Sequence, residues 1–257
     1  MGGCAGSSRS ARPPAHDTRD DRGMLSAVVA LVVPPRCAAC GAPGRRAGDV
    51  VCAGCRRALP WLAGPCCPHC ALPLPHACGR CPARDAAFDG AWAAVAYDGV
   101  ARDAMHALKF AGARPLARVM AAQIAANAPP WLLTGEGQGG LTLVAVPPHP
   151  RRRRARGFDP ADLIASALAR RTGLPLQPAL RRSAAASHQL GASREARRDP
   201  ARLHFAARGP APRRVILVDD VHTTGATLSA CAQALRDAGA AYVGAVTWAR
   251  TLDERPR

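Results

Sequence analysis

A chain of 257 residues, 48% of them hydrophobic, is long enough for one well-cored domain plus a small extra module. Its formal charge of +17 suits polyanionic partners, nucleic acid or phosphorylated ligands, but Lys109 is the only lysine while Ala and Arg crowd every segment. That pattern reads as a codon bias rather than a selected basic face. An α-helical membrane span is excluded, because the best apolar run, Leu25–Val33, stops at Pro34-Pro35, far short of the ~20 residues a bilayer requires.

Residues 1–23 are rich in Gly, Ser, Arg and Asp and hold no apolar core, so they read as a disordered extension, not a signal peptide, with Met24 as the true start. The protein is therefore expected to be cytoplasmic. Leu25–Val33 is expected to be a short helix docked on a core. From Arg36 to Ala83 cysteines, prolines and glycines dominate, and a segment of that kind needs a staple to fold. Residues 24–85 are thus read as one unit, a short helix followed by a metal module, and residues 86–252 as an α/β domain. In the latter, strands are expected at Ala91–Tyr97, Leu141–Val146, Leu174–Leu176, Val215–Val218 and Tyr242–Trp248. Helices are expected at Val100–Phe110, Pro115–Asn127, Pro160–Arg171 and Ala226–Ala238. This alternation predicts a parallel sheet with helices on both faces. Ala128–Gly140 and Arg181–Pro200 read as loops.

Four Cys-x-x-Cys pairs follow one another: Cys37 with Cys40, Cys52 with Cys55, Cys67 with Cys70, and Cys78 with Cys81. Two residues between thiolates let one knuckle turn aim both at a single ion, and two knuckles complete a tetrahedral set. In a reducing compartment this arithmetic implies two Zn2+ ions, paired sequentially or in an interleaved way. Cys66 and His69 are alternative ligands of the second site. An all-thiolate set leaves no open position for water, so the zinc is expected to be structural. Cys4 and Cys231 stand alone and are assigned no role.

The run Val215–Val218 leads into Asp219-Asp220-Val221-His222-Thr223-Thr224-Gly225-Ala226-Thr227 and then a helix. Backbone N–H groups of this turn, the threonine hydroxyls and the helix N-terminus suit a phosphate monoester. Gly225 provides a tight bend where a Cβ would obstruct the anion. Asp219 and Asp220, at the carboxyl end of the strand, suit vicinal ribose hydroxyls, and open α/β sheets place ligands there. A turn that merely caps a helix uses one or two such residues, whereas two acids, three threonines and a glycine converge here in nine positions.

This motif resembles the phosphoribosyl-diphosphate signature of type I phosphoribosyltransferases. The eight paired cysteines, Leu108-Lys109-Phe110, Val146-Pro147, Arg156-Gly157-Phe158, Gln189, Arg197 and Phe205 extend the resemblance to the ComF family, which includes competence-associated proteins. The family usually has Asn-Gln where this chain has Asp159-Pro160, and Asn where it has Pro200. The resemblance implies a type I phosphoribosyltransferase-like domain that binds phosphoribosyl diphosphate with Mg2+. It also implies a diphosphate loop at Pro147, Pro148, Arg152 and Arg156, and a lid at Arg181–Arg198 with Gln189, Arg194 and Arg197 as contacts. Lys109 is singled out because an arginine-rich chain keeps a compact ammonium there. Asp219 and Asp220 are the expected catalytic pair. The competing readings are a competence factor whose zinc ribbons and Arg-rich loops hold single-stranded DNA or competence proteins, and a regulator that binds the sugar diphosphate without chemistry.

Overall fold

The computed structural model describes residues 36–44, 49–74, 81–133, 140–182 and 204–252. Leu25–Val33, Cys4 and Cys78 lie outside the described residues, as do Gln189, Arg194 and Arg197. The elements in chain order are α1 (Ala53–Arg57), β1 (Gly90–Ala96), α2 (Gly99–Phe110), α3 (Leu116–Asn127), α4 (Pro130–Leu133), β2 (Leu141–Ala145), α5 (Pro150–Arg156), α6 (Pro160–Thr172), β3 (Leu180–Arg182), β4 (Phe205–Ala207), β5 (Arg214–His222), α7 (Ala226–Asp237) and β6 (Tyr242–Arg250).

Four of the strands form one parallel sheet in the order β1-β6-β5-β2. Its central strands are apolar on both sides, with Val215, Ile216, Leu217 and Val218 fully buried, as a sheet covered on both faces requires. One face packs Ile216 and Val218 against Met105 of α2, Leu116 of α3 and Ile164 of α6. The other packs Val215 and Leu217 against Leu228 and Leu235 of α7. Each such aliphatic side chain contributes roughly 1.5–3 kcal/mol on full burial.

Four expectations are altered, one of them at Arg181, where the expected loop begins inside β3. Leu174–Leu176 shrinks to a single parallel bridge between Leu176 and Leu143, flanked by bonds from Leu143 N–H to the Pro175 carbonyl and from Gln177 N–H to the Leu143 carbonyl. Pro175 and Pro178 have no N–H with which to prolong the ladder. The strand expected to end at Val218 continues to His222, because β6 is equally long and sets Thr247, Ala249 and Arg250 against Asp219, Val221 and His222. The loop expected at Ala128–Gly140 contains α4, a single turn that buries Leu132.

The cysteine segment is built into the domain. Its first half contributes Cys37, Val51, Cys55 and Leu59 to the core on the α2 and α3 side. Its second half contributes Cys67, Cys70, Ala71 and Ala83 to the core on the α7 side. Between them the chain lies along β1, where Leu62 N–H donates to Ala94, Ala96 N–H to Pro60 and Ala91 N–H to Pro68. The sheet edge is thereby covered. The two knuckles repeat one hydrogen-bond pattern: Cys37 N–H to Ala42 and Gly41 N–H to Cys37 recur as Cys67 N–H to Leu72 and Ala71 N–H to Cys67.

No helix among the described residues is long and apolar enough to cross a membrane.

Candidate functional site

The carboxyl ends of the parallel strands open onto a cleft of about 460 Å³. Tyr97 follows β1, Val146, Pro147 and Pro148 follow β2, and Asp219, Asp220, Val221 and Thr223 come from the end of β5; all of them line it. Parallel strands all point their carboxyl ends to one side, and that shared direction gathers residues distant in sequence.

Asp219 and Asp220 sit inside the last part of β5. The Asp220 N–H donates to Asp219 Oδ1 at 2.8 Å. Lys109, from the last turn of α2, places Nζ 2.8 Å from Asp220 Oδ2, with both side chains largely shielded. Burial, then the neighbouring Asp220 charge, pushes the Asp219 carboxyl well above the usual range, while the Asp220 N–H and Lys109 act against that rise. Lys109, marked in the sequence by its rarity and by the Leu108-Lys109-Phe110 match, thus lines the same cleft as both acids.

The turn after β5 divides the predicted phosphate loop in two. Val221 and His222 belong to the strand, and the His222 ring points away from the cleft into the core, 6.2 Å and edge-on from Phe88. Among the described residues, neither ring nitrogen has a hydrogen-bond partner. Burial, reinforced by the Arg250 charge, lowers its pKa to about 3, so the ring is held neutral. Thr223 and Thr224 are exposed, and Ala226 N–H donates to Thr224 Oγ1 at 3.3 Å. Gly225 adopts φ +83°, and a Cβ there would lie 2.9 Å from His222 Nε2. Only glycine combines that dihedral with that closeness. Thr227, in the first turn of α7, returns to line the cleft.

Across the cleft the arginine run forms α5, whose first N–H groups are capped by His149: Nδ1 accepts from Arg151 N–H at 3.3 Å. Helical spacing sorts the run. Arg152 and Arg156, four apart and so on one face, line the cleft together with His149, whereas Arg153 and Arg154 turn to a neighbouring groove. Arg156 stacks over Phe110, 4.9 Å from the ring centroid, and this fixes the guanidinium at the mouth.

Asp159, Tyr97 and Arg182 also line the cleft and were not among the predicted contacts. Burial, with the Asp220 and Asp162 charges adding to it, raises the Asp159 carboxyl to about 7 against the pull of the Ala161 and Asp162 N–H groups. Tyr97 was recoverable from its place at the end of a parallel strand. Arg182 lies within the Arg181–Arg198 segment expected as a lid but was not picked as a contact, because it reaches the site through the antiparallel pairing of β3 with β4, residues 180 to 182 with 205 to 207. The proposed lid contacts Gln189, Arg194 and Arg197 fall between those strands, outside the described residues.

The thiols form two sets. Sγ atoms of Cys37, Cys40, Cys52 and Cys55 lie within 4.8 Å of one another, and so do those of Cys67, Cys70 and Cys81. Cys40 and Cys52 are 3.8 Å apart, as are Cys67 and Cys81. A tetrahedron with metal–sulfur bonds of about 2.3 Å has edges of about 3.8 Å, so the sets fit zinc. Among the described residues, Cys66 and His69 place no atom in the second set. Burial opposes ionisation of Cys37, but N–H groups of Cys52, Cys40 and Ala39 outweigh it and bring that thiol to about 6.

Comparison with known proteins agrees with this division. Residues 28–83 match the double zinc ribbon domain and residues 155–257 the phosphoribosyl transferase domain. DNA utilization protein YhgH of Salmonella typhimurium is 31% identical over 234 residues, 86% of this chain and all of that protein. This chain belongs to the ComF family. YhgH of Escherichia coli is 30% identical over the same span, and Competence protein F of Haemophilus influenzae 27% over 212 residues, 79% of this chain and 92% of that protein. The ComF architecture, a double zinc ribbon followed by a phosphoribosyltransferase domain, is thus the one whose cleft and thiol sets are described above.

Proposed function

We propose that the cleft binds phosphoribosyl diphosphate with Mg2+. The observation that carries this reading is the convergence on one cleft of Asp219, the Lys109–Asp220 pair, Arg152, Arg156 and the Thr223–Thr227 turn. Asp219 and Asp220 accept hydrogen bonds from the ribose hydroxyls. The amides and hydroxyls from Thr223 to Thr227 hold the 5′-phosphate, helped by the N-terminus of α7. Pro147 and Pro148 shape the opposite wall, where Arg152 and Arg156 neutralise the diphosphate, and the family resemblance adds Gln189, Arg194 and Arg197 as further ligand contacts. Mg2+ supplies charge to the diphosphate. A transfer reaction here would break the C1–diphosphate bond through an oxocarbenium-like state as an acceptor nucleophile bonds to C1 and inorganic diphosphate leaves, and the protein would contribute positioning and charge.

Two zinc ions complete the proposal, one on Cys37, Cys40, Cys52 and Cys55, the other on Cys67, Cys70, Cys78 and Cys81, in a cytoplasmic protein whose thiols stay reduced. A second reading, single-stranded nucleic acid on this domain, is favoured by Phe110. Its ring is 65% exposed between His106 and Arg156, an aromatic and cationic platform at the mouth of the cleft. The printed names of the relatives, DNA utilization and competence, suit that reading.

The half-sites are separable by experiment. Gly225→Ala is expected to lose ribose 5-phosphate while retaining inorganic diphosphate, and Arg152→Ala with Arg156→Ala to do the reverse. Titration calorimetry reads both, and equal losses of both ligands in either variant contradict the assignment of the two walls.

A further inference from the structure

Arg250 ends β6 with only 4% of its surface exposed. Its Nε donates to the carbonyl of Cys70 at 2.9 Å. Its Nη1 donates to the carbonyls of His222 at 3.1 Å, of Thr223, and of Thr251 at 2.8 Å, and to Thr251 Oγ1 at 3.2 Å. One planar, permanently charged group therefore bridges a knuckle of the second thiol set and the first peptides of the Thr223–Thr227 turn. A second line of contact runs beside it. Phe88, which shares a core cluster with Cys67 and Cys70, meets the His222 ring edge-on, and that ring lies directly under Gly225.

The peptide plane turns this bridge into a constraint on ligand binding. The carbonyl of one residue and the N–H of the next are fixed in one plane and point in opposite directions. A guanidinium that holds the His222 carbonyl, together with the Thr251 N–H, and the Thr223 carbonyl directs the N–H groups of Thr223 and Thr224 away from itself. Those N–H groups belong to the set assigned to the phosphate. The Cys70 carbonyl is offered to Arg250 by a knuckle whose own backbone hydrogen bonds shape it, and a metal on Cys67, Cys70 and Cys81 would fix that knuckle further.

We propose that Arg250 is a positioning residue coupling metal loading of the second zinc ribbon to the phosphate affinity of the Thr223–Thr227 turn. The proposal rests on the phosphate reading of that turn. Coupling of this kind is reciprocal, so the sugar diphosphate holds metal in the second ribbon as firmly as that metal sharpens binding of the sugar diphosphate. The first thiol set lies in the other core cluster and is not among the partners of Arg250 in its described hydrogen bonds, so its ion serves as the internal reference.

The test follows zinc release from the full chain to a chelating dye, with and without phosphoribosyl diphosphate and Mg2+. Wild type is expected to release two ions, one of them about tenfold more slowly when the ligand is present, within the usual range of coupling between sites. In Arg250→Met that slowing is lost, and the ligand binds about tenfold more weakly; Arg250→Lys, which keeps charge but not the fork, restores part of each effect. A wild type that binds the ligand yet releases both ions at unchanged rates overturns the coupling and leaves the phosphate reading intact. A wild type that binds no ligand overturns the phosphate reading. The physical link is then read from hydrogen exchange of the Thr223–Thr227 amides before and after chelation, and unchanged exchange overturns that as well. The wild-type arms stand even where Arg250→Met fails to fold.

Discussion

Lys109 and Asp220 share a contact of 2.8 Å on the wall of the cleft, and Asp219 lies beside them. Without the ammonium, two adjacent carboxylates face one another uncompensated, and the cleft loses a positive charge that a diphosphate ester needs. Lys109→Met is therefore expected to weaken phosphoribosyl diphosphate binding about tenfold, or about 1.4 kcal/mol. Lys109→Arg recovers only part, because a planar fork does not occupy the position of a compact ammonium; unchanged affinity in Lys109→Met by calorimetry would exclude the lysine from the site. Asp159 offers a different handle. Its folded pKa of about 7 lies above the ordinary carboxylate value of 3.8, so folding takes up a proton between those limits. The stability this group contributes is complete below about pH 4 and is lost as the pH rises through 7. Asp159→Asn is expected to gain up to about 4 kcal/mol over wild type at pH 8 and almost nothing at pH 4. Thermal melts across that range check it, and parallel profiles for the two proteins would refute it.

Among the elements, the parallel strands and their helices were legible because a buried sheet reads as unbroken apolar runs, and Val215–Val218 is such a run. The end of β5 was not legible. Asp219, Asp220 and His222 are polar, and what keeps them in a strand is the equal length of β6, a partner remote in sequence. Periodicity carries no record of such pairing. The same limit hid the direction of His222: its place in the motif suggested a ligand contact, whereas strand geometry buries its ring against Phe88. The arginine run illustrates the converse. Its composition gave a basic loop from which the resemblance picked Arg152 and Arg156, and the helix formed after His149 and Pro150 supplies the physical reason by setting both on the face that lines the cleft.

For the molecule as a whole, the cysteine segment was read as a unit that needs a staple, and its metal spacing was plain from the repeat of Cys-x-x-Cys. Its placement was not, because short apolar residues such as Val51, Leu59 and Ala83 do not announce which face of a sheet they complete. Since the two halves close opposite faces, zinc removal is expected to destabilise the entire chain rather than release a tail. Scanning calorimetry should show one transition that moves down by 10 °C or more on chelation, a shift of about 3 kcal/mol or more for a chain of this size. An unchanged main transition would show that the α/β domain does not depend on the ribbons.

The central claim concerns the acidic pair and the turn that follows it, and titration of the full chain with phosphoribosyl diphosphate and Mg2+ tests it most directly. Wild type is predicted to bind one equivalent, and Asp219→Asn with Asp220→Asn to lose about tenfold or more in affinity while keeping its fold by circular dichroism. No binding by wild type, or equal binding by the double variant, would contradict the account.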